Sequence, residues 1–158
     1  MGRGPREVMR ILLVAVKPKR GAGAGPAAEL TAEYLGRAAR YMPVSSRVFP
    51  DEASVLAFLE AEAGRTRPAL VLADSHGKPM SSEEFAAALG GFQDAGVQQV
   101  VVAIGPADGW SAEALKRANL TISFGRITLP HELAAVVMAE QIYRALTIRA
   151  GHPYHCGH

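Results

Sequence analysis

The sequence has a single cysteine, Cys156, among 158 residues, which excludes an internal disulfide framework and fits a reducing compartment. Long apolar runs are also missing. The longest, Ile11–Val16 and Leu133–Ala139, fall far short of the roughly 18 residues a membrane span needs. Met1–Arg10 carries three arginines, but the apolar stretch behind them is too short for a secretory leader and lacks a cleavage site, so none is expected. Charge of one sign is scarce too: 17 Lys+Arg against 15 Asp+Glu leave a net charge of +2, too little to establish nucleic-acid binding by itself. What remains is an ordinary globular composition, 49% hydrophobic and 20% charged, which excludes a disordered chain. The length fits one compact domain burying about two-thirds of its unfolded surface. Composition therefore predicts one cytoplasmic domain over residues 1–158 and leaves its partner open.

Short β-rich runs alternate with longer helical patterns, which predicts an α/β fold with a mainly parallel sheet. Arg10–Val16 reads as a strand covered on both faces. Pro26 suits a first helical position, and Ala27–Arg40 carries Leu30, Tyr34 and Ala38 at spacings of four. Ser46–Phe49 is a short strand, and Asp51 caps a helix over Glu52–Ala63 with Val55, Leu56 and Leu59 on one face. A third strand, Ala69–Ala73, ends at Asp74. Ser81 and Glu84 have the spacing of a capping box, opening a helix toward Asp94. A fourth strand lies within Val97–Ile104, Ser111 caps a short helix to Ala118, and Thr121–Phe124 is a fifth strand. After Pro130 a helix runs to about Arg149, with Leu133, Val136, Val137, Ile142, Tyr143 and Leu146 as its apolar side.

Open parallel sheets bind ligands beyond the carboxyl ends of their strands, which singles out Lys17–Gly25, Ala73–Met80, Gly105–Gly109 and Phe124–Pro130. Gly21–Gly25 fails the dinucleotide pattern because Pro26 takes the sixth position, and Lys78 is followed by Pro79, so no phosphate loop of the G-x-x-x-x-G-K-[ST] kind exists. Gly105–Gly109 suits either a tight turn or a place where backbone approaches a flat ligand. Asp74–Lys78 is a polar cluster at a strand end. The least ordinary stretch is His152-Pro-Tyr-His-Cys-Gly-His158. Its imidazoles beside Tyr154 suit proton transfer near neutral pH. His152, His155, Cys156 and His158 are also competent metal ligands, but a seven-residue segment containing Pro153 is poorly built to close a tetrahedral shell, and no metal is expected.

Taken in order, Asp74 with Gly77-Lys78, the Gly105-Pro106 turn, Thr128-Leu-Pro-His131, Ala139-Glu-Gln-Ile-Tyr-Arg-Ala145 and Gly151-His-Pro-Tyr-His155 closely resemble the RlmH family of the SPOUT superfamily, bacterial 23S rRNA pseudouridine N3-methyltransferases. The resemblance spans nearly the whole chain. It implies a Rossmann-like α/β domain whose C-terminal part forms a trefoil knot, a homodimer built around that knot, and S-adenosylmethionine as cofactor. By position, the cofactor residues are then Leu72, Ala73, Gly105 and the run Phe124, Gly125, Arg126, Ile127, Thr128 and Leu129. The implied substrate is a pseudouridine of large-subunit ribosomal RNA, methylated at N3, in the assembled ribosome. His155 or His152 would accept the N3 proton, with Tyr154 orienting or stacking on the base. The tail would reach its partner subunit's cofactor.

The chain departs from the family pattern at Ile104, at Ala135 and at Cys156–His158, and its stretch Asp51–Glu62 is acidic where relatives are lysine-rich. Basic charge gathers instead at Arg3, Arg6, Arg10, Lys17, Lys19 and Arg20, a cluster suited either to phosphate contact or to solvent. Two alternatives follow: a SPOUT-like RNA- or ribosome-binding protein without transfer activity, or a methyltransferase of the same fold with another RNA target.

Overall fold

The structure, a computed structural model, describes residues 9–17, 25–64, 66–106 and 108–155. Arg3, Arg6, Lys19, Arg20, most of the Gly21–Gly25 loop and Cys156–His158 lie outside the described residues. Five strands, β1 (Arg10–Val16), β2 (Val44–Phe49), β3 (Ala69–Pro79), β4 (Gln99–Ile104) and β5 (Leu120–Ser123), alternate with α1 (Pro26–Ala38), α2 (Glu52–Ala61), α3 (Ser82–Asp94), α4 (Ala112–Arg117) and α5 (His131–Ala150). A 3-10 turn over Pro153–His155 follows. Every strand pairing is parallel, in the order β2-β1-β4-β3-β5. The expected α/β fold with a parallel sheet is what the chain forms.

The sheet is covered on both faces because its strands are apolar at successive positions, which point alternately to opposite sides. Ile11, Leu13, Val71, Val100 and Val102 pack under α1, α3 and α5, against Leu35, Phe85, Leu89, Met138 and Ile142. Leu12, Val14, Leu70, Leu72 and Val101 face the other way, onto Val55 and Leu59 of α2 and Ala114 of α4. Helix starts follow the caps legible in the sequence. The Asp51 carboxylate accepts from the Ser54 N–H at 2.8 Å, and Ser111 Oγ accepts from the Ala114 N–H at 3.1 Å. Ser81 and Glu84 form the reciprocal box, at 3.0 and 2.8 Å.

Three expectations are corrected. Leu30 and Leu133 are exposed, at 41% and 50%. The expected Ala38, Ile142 and Leu146 are buried, but the stripes also run through Leu35 on α1 and through Ala134, Met138 and Ala145 on α5. Small residues at these helix positions let backbones approach closely, which a count of bulky apolar side chains misses. The third correction concerns β3, which does not end at Asp74. Ala73 and Lys78 both pair with Ile122, so the four residues between them form a bulge and the strand resumes to Pro79.

That bulge depends on Gly77. A Cβ there would lie 2.8 Å from the backbone C and N atoms of Ile122, inside contact distance, and backbone of a paired strand cannot rotate away as a side chain can. Gly77→Ala is therefore expected to destabilise the fold by about 2 kcal/mol through overpacking, read as a lower Tm or urea midpoint. An unchanged midpoint would mean that β5 yields freely here.

Candidate functional site

The start of the β3 bulge, the end of β4 and the segment after β5 line a cavity of about 230 Å³. Ala73, Asp74 and Ser75 contribute from β3, Ile104 from the end of β4, and Gly105 and Pro106 from the turn after it. Phe124, Gly125, Ile127, Thr128 and Leu129 form a third wall, while His131 and Ala134 close it from the first turn of α5. This is the carboxyl edge of a parallel sheet, where such folds place ligands. The lining mixes apolar side chains with the polar Asp74, Ser75 and Thr128. Gly125, at φ +103°, takes a left-handed conformation open mainly to glycine, and Ser123 Oγ fixes that turn by accepting from the Gly125 N–H at 3.0 Å and donating to its carbonyl at 2.8 Å. His131 lines the cavity, and its Nδ1, fully buried, has no hydrogen-bond partner.

Of the nine residues assigned to the cofactor by resemblance, seven line this cavity: Ala73, Gly105, Phe124, Gly125, Ile127, Thr128 and Leu129. Arg126 does not, and the Leu72 side chain is fully buried in the core on the α2/α4 side of the sheet. Asp74, Pro106, Trp110 and His131 also line the cavity and were not assigned to the cofactor. A lone tryptophan directly after a glycine-bounded turn was the available sign for Trp110.

The tail residues are elsewhere in this chain. Gly151, at φ +73°, ends α5 with its N–H on the Ile148 carbonyl and the His152 N–H on that of Thr147, a Schellman turn that reverses the chain. The following 3-10 turn then lies back on α5. Tyr154 Oη donates to Glu140 Oε2 at 2.8 Å, and the same oxygen accepts from Arg144 Nε and Nη2 at 3.0 and 2.6 Å. The Arg144 guanidinium stands 5.0 Å over the Tyr154 ring, whose centroid is 4.6 Å from that of Tyr143. His152 Nδ1 accepts from the Tyr154 N–H at 3.2 Å, and its ring meets Tyr41 edge-on. Tyr34 joins through Tyr143, so all four tyrosines of the sequence form one cluster over α1, α5 and the tail. Glu140 stands nine residues beyond His131 on α5, about 14 Å at 1.5 Å per residue. Within one chain, Tyr154 and His152 do not reach the cavity.

Burial, then the hydrogen bond to Glu140 and its negative charge, push the Tyr154 phenol up to about 12 from an ordinary 10.0. Tyr154 is thus a proton donor at neutral pH. The sign follows from linkage: a pKa raised on folding adds stability that is complete below the unfolded value and is lost as pH climbs from about 10 to about 12. Tyrosinate absorbance is expected to show one phenol titrating near 12, and its absence after Tyr154→Phe identifies the group. Titration of that phenol near 10 would contradict the Glu140 contact.

The family profile described as predicted SPOUT methyltransferase matches residues 9–155. A protein named ribosomal RNA large subunit methyltransferase H from Koribacter versatilis (strain Ellin345) is 51% identical over 129 residues, covering 82% of this chain and 88% of that protein. One of the same name from Methylocella silvestris is 41% identical over 161 residues, covering 93% and 99%. Among solved structures, the SpoU methyltransferase AviRb from Streptomyces viridochromogenes, in complex with the cofactor AdoMet, superimposes with a TM-score of 0.51 at 16% identity, over 93% of this chain. This chain spans 60% of that one. A probable methylase family protein from Haemophilus influenzae Rd KW20 gives 0.52 at 11% identity, over 94% of this chain and 69% of that one. At these identities the structural likeness is one of fold.

Proposed function

The chain belongs to the SPOUT methyltransferase family, and on that premise we propose that it methylates N3 of a pseudouridine in large-subunit (23S) ribosomal RNA, using S-adenosylmethionine, as a homodimer in the cytoplasm. The observation that carries this reading is the convergence of seven of the nine expected cofactor residues on one cavity. The cavity fits such a group. Gly125 leaves open space where a Cβ would stand, and the backbone of 124–129 offers amides and carbonyls. In this reading the C-terminal segment is threaded as a trefoil knot. Among the described residues no helix is long and apolar enough to cross a membrane.

When bound, S-adenosylmethionine supplies an electrophilic methyl on a sulfonium. The chain's own contribution is alignment and removal of one proton. N3 of pseudouridine becomes a good nucleophile as its proton leaves, and a neutral imidazole suits that transfer near pH 7. His152 has its Nδ1 engaged inside the tail turn, so we assign proton acceptance to His155 and a supporting position to His152. Tyr154, a donor held protonated, orients the tail and the base.

The geometry also bears on the dimer. A cavity of about 230 Å³ is below the roughly 300–1,000 Å³ usual for small-molecule sites, and the tail of the same chain lies away from it. A site completed by the partner's tail reconciles both. Calorimetry with S-adenosylmethionine is the direct test of the cofactor: saturable binding is expected, and no heat at millimolar ligand would sink the reading.

A further inference from the structure

Trp110 is the only tryptophan in the sequence, and its position is unusually constrained. Gly109, at φ +89° with its N–H on the Pro106 carbonyl at 2.9 Å, turns the chain so that the indole folds back over the end of β4. There the indole Nε1–H donates to the Ala73 carbonyl at 3.0 Å, linking the ends of β3 and β4 from inside the cavity. A Cβ on Gly105 would fall 2.5 Å from Nε1 and 2.6 Å from Cε2 of the same ring, so glycine there is what lets the indole lie against the backbone. The next residue is also fixed: the Ser111 N–H donates to Glu52 Oε1 at 2.8 Å and its hydroxyl to Glu52 Oε2. On its other side the ring packs with the core cluster beneath α2 and α4. Trp110 is thus held by its side chain, its turn and its neighbour, while one part of it lines the cavity.

We propose that Trp110 is a positioning residue of the methyl-donor site, whose indole sets the spacing of Ala73 and Gly105 and supplies a rigid wall against which S-adenosylmethionine binds. This rests on the cofactor reading above and extends it to a residue which that reading did not include. The indole N–H occupies the Ala73 carbonyl, so the β3 end presents a satisfied acceptor and the ligand meets ring and backbone instead of a loose loop. Preorganisation of this kind raises affinity by removing an ordering cost at binding.

The test uses the full-length protein with S-adenosylmethionine as probe. Trp110→Phe keeps a ring but loses the N–H that ties it to Ala73, and it is expected to weaken binding about fivefold by restoring an ordering cost at binding. Trp110→Ala removes the wall as well and is expected to weaken it about tenfold or more. Intrinsic emission of the wild-type protein comes from this one indole, and it should change along the same isotherm that calorimetry reads. A purely structural role would lower Tm without ligand and leave the emission blind to it. If wild-type protein binds S-adenosylmethionine while Trp110→Phe binds as tightly and the emission stays constant, this inference is overturned and the cofactor reading stands. If wild-type protein does not bind the ligand at all, the cofactor reading fails and this inference falls with it.

Discussion

His155→Ala is expected to lower methyl-transfer turnover about a hundredfold, the lower end of what a positioned general base contributes, while S-adenosylmethionine affinity stays within about threefold. The split between the two readouts is the content of the prediction. The cavity that would hold the methyl donor is built from Ala73 to Ala134. His155 closes a 3-10 turn packed on the far part of α5. Removing its imidazole takes away the proposed acceptor of the N3 proton, so the expected loss is in turnover. Single-turnover rates on ribosomal RNA or ribosomes, beside calorimetry with the cofactor, separate the two quantities. Collapse of cofactor binding would make His155 structural and move the base elsewhere.

Glu140→Gln is expected to reduce turnover about thirtyfold, again with cofactor affinity little changed. One carboxylate oxygen of Glu140 gathers Tyr154 Oη and two nitrogens of Arg144, and the other accepts from Gln141 Nε2 at 2.8 Å. The pair is four-fifths buried on each side, so its hydrogen bonds are charge-assisted and poorly screened. An amide keeps the shape but loses the charge and turns one acceptor into a donor. The tail then loses its fixed seat on α5, and misplacement by about 1 Å costs of the order of a hundredfold where reacting groups must align. The same change should bring the Tyr154 titration down from about 12 by the part due to Glu140, leaving the part due to burial. Lost turnover with an unmoved phenol titration would show that Glu140 acts other than through the tail.

Much of the fold was legible because local chemistry and tertiary structure agree in this chain. Asp51, Ser81 with Glu84, and Ser111 are caps whose side chains do in three dimensions what their spacing predicts. β1 and β4 are apolar at nearly every position because both faces of the sheet are covered. Periodicity failed where packing uses small residues. Ala134 and Ala145 are buried on α5, and Leu30 and Leu133, which look like core, point outward. It failed again at Asp74–Lys78, where a polar run reads as a strand end. Only the pairing of Lys78 with Ile122, far along the chain, shows that β3 continues.

The candidate site divides in the same way. The segments Gly105–Gly109 and Phe124–Pro130 could be singled out because parallel sheets bind ligands beyond their strand ends, and the resemblance then narrowed them to Gly105 and the run Phe124–Leu129. Trp110 could not, since its role rests on a hydrogen bond to Ala73, 37 residues away. The contact between Tyr154 and Glu140 was likewise hidden. Both residues belong to motifs quoted for the resemblance, yet nothing in their spacing states that a turn at Gly151 folds one onto the other.

Methylation of one base is tested most directly by mass spectrometry of large-subunit ribosomal RNA from cells with and without this gene. Loss of N3-methylpseudouridine in the deletion strain, restored by the wild-type protein and not by His155→Ala at equal abundance, is the predicted result. An unchanged modification profile in the deletion strain would contradict it.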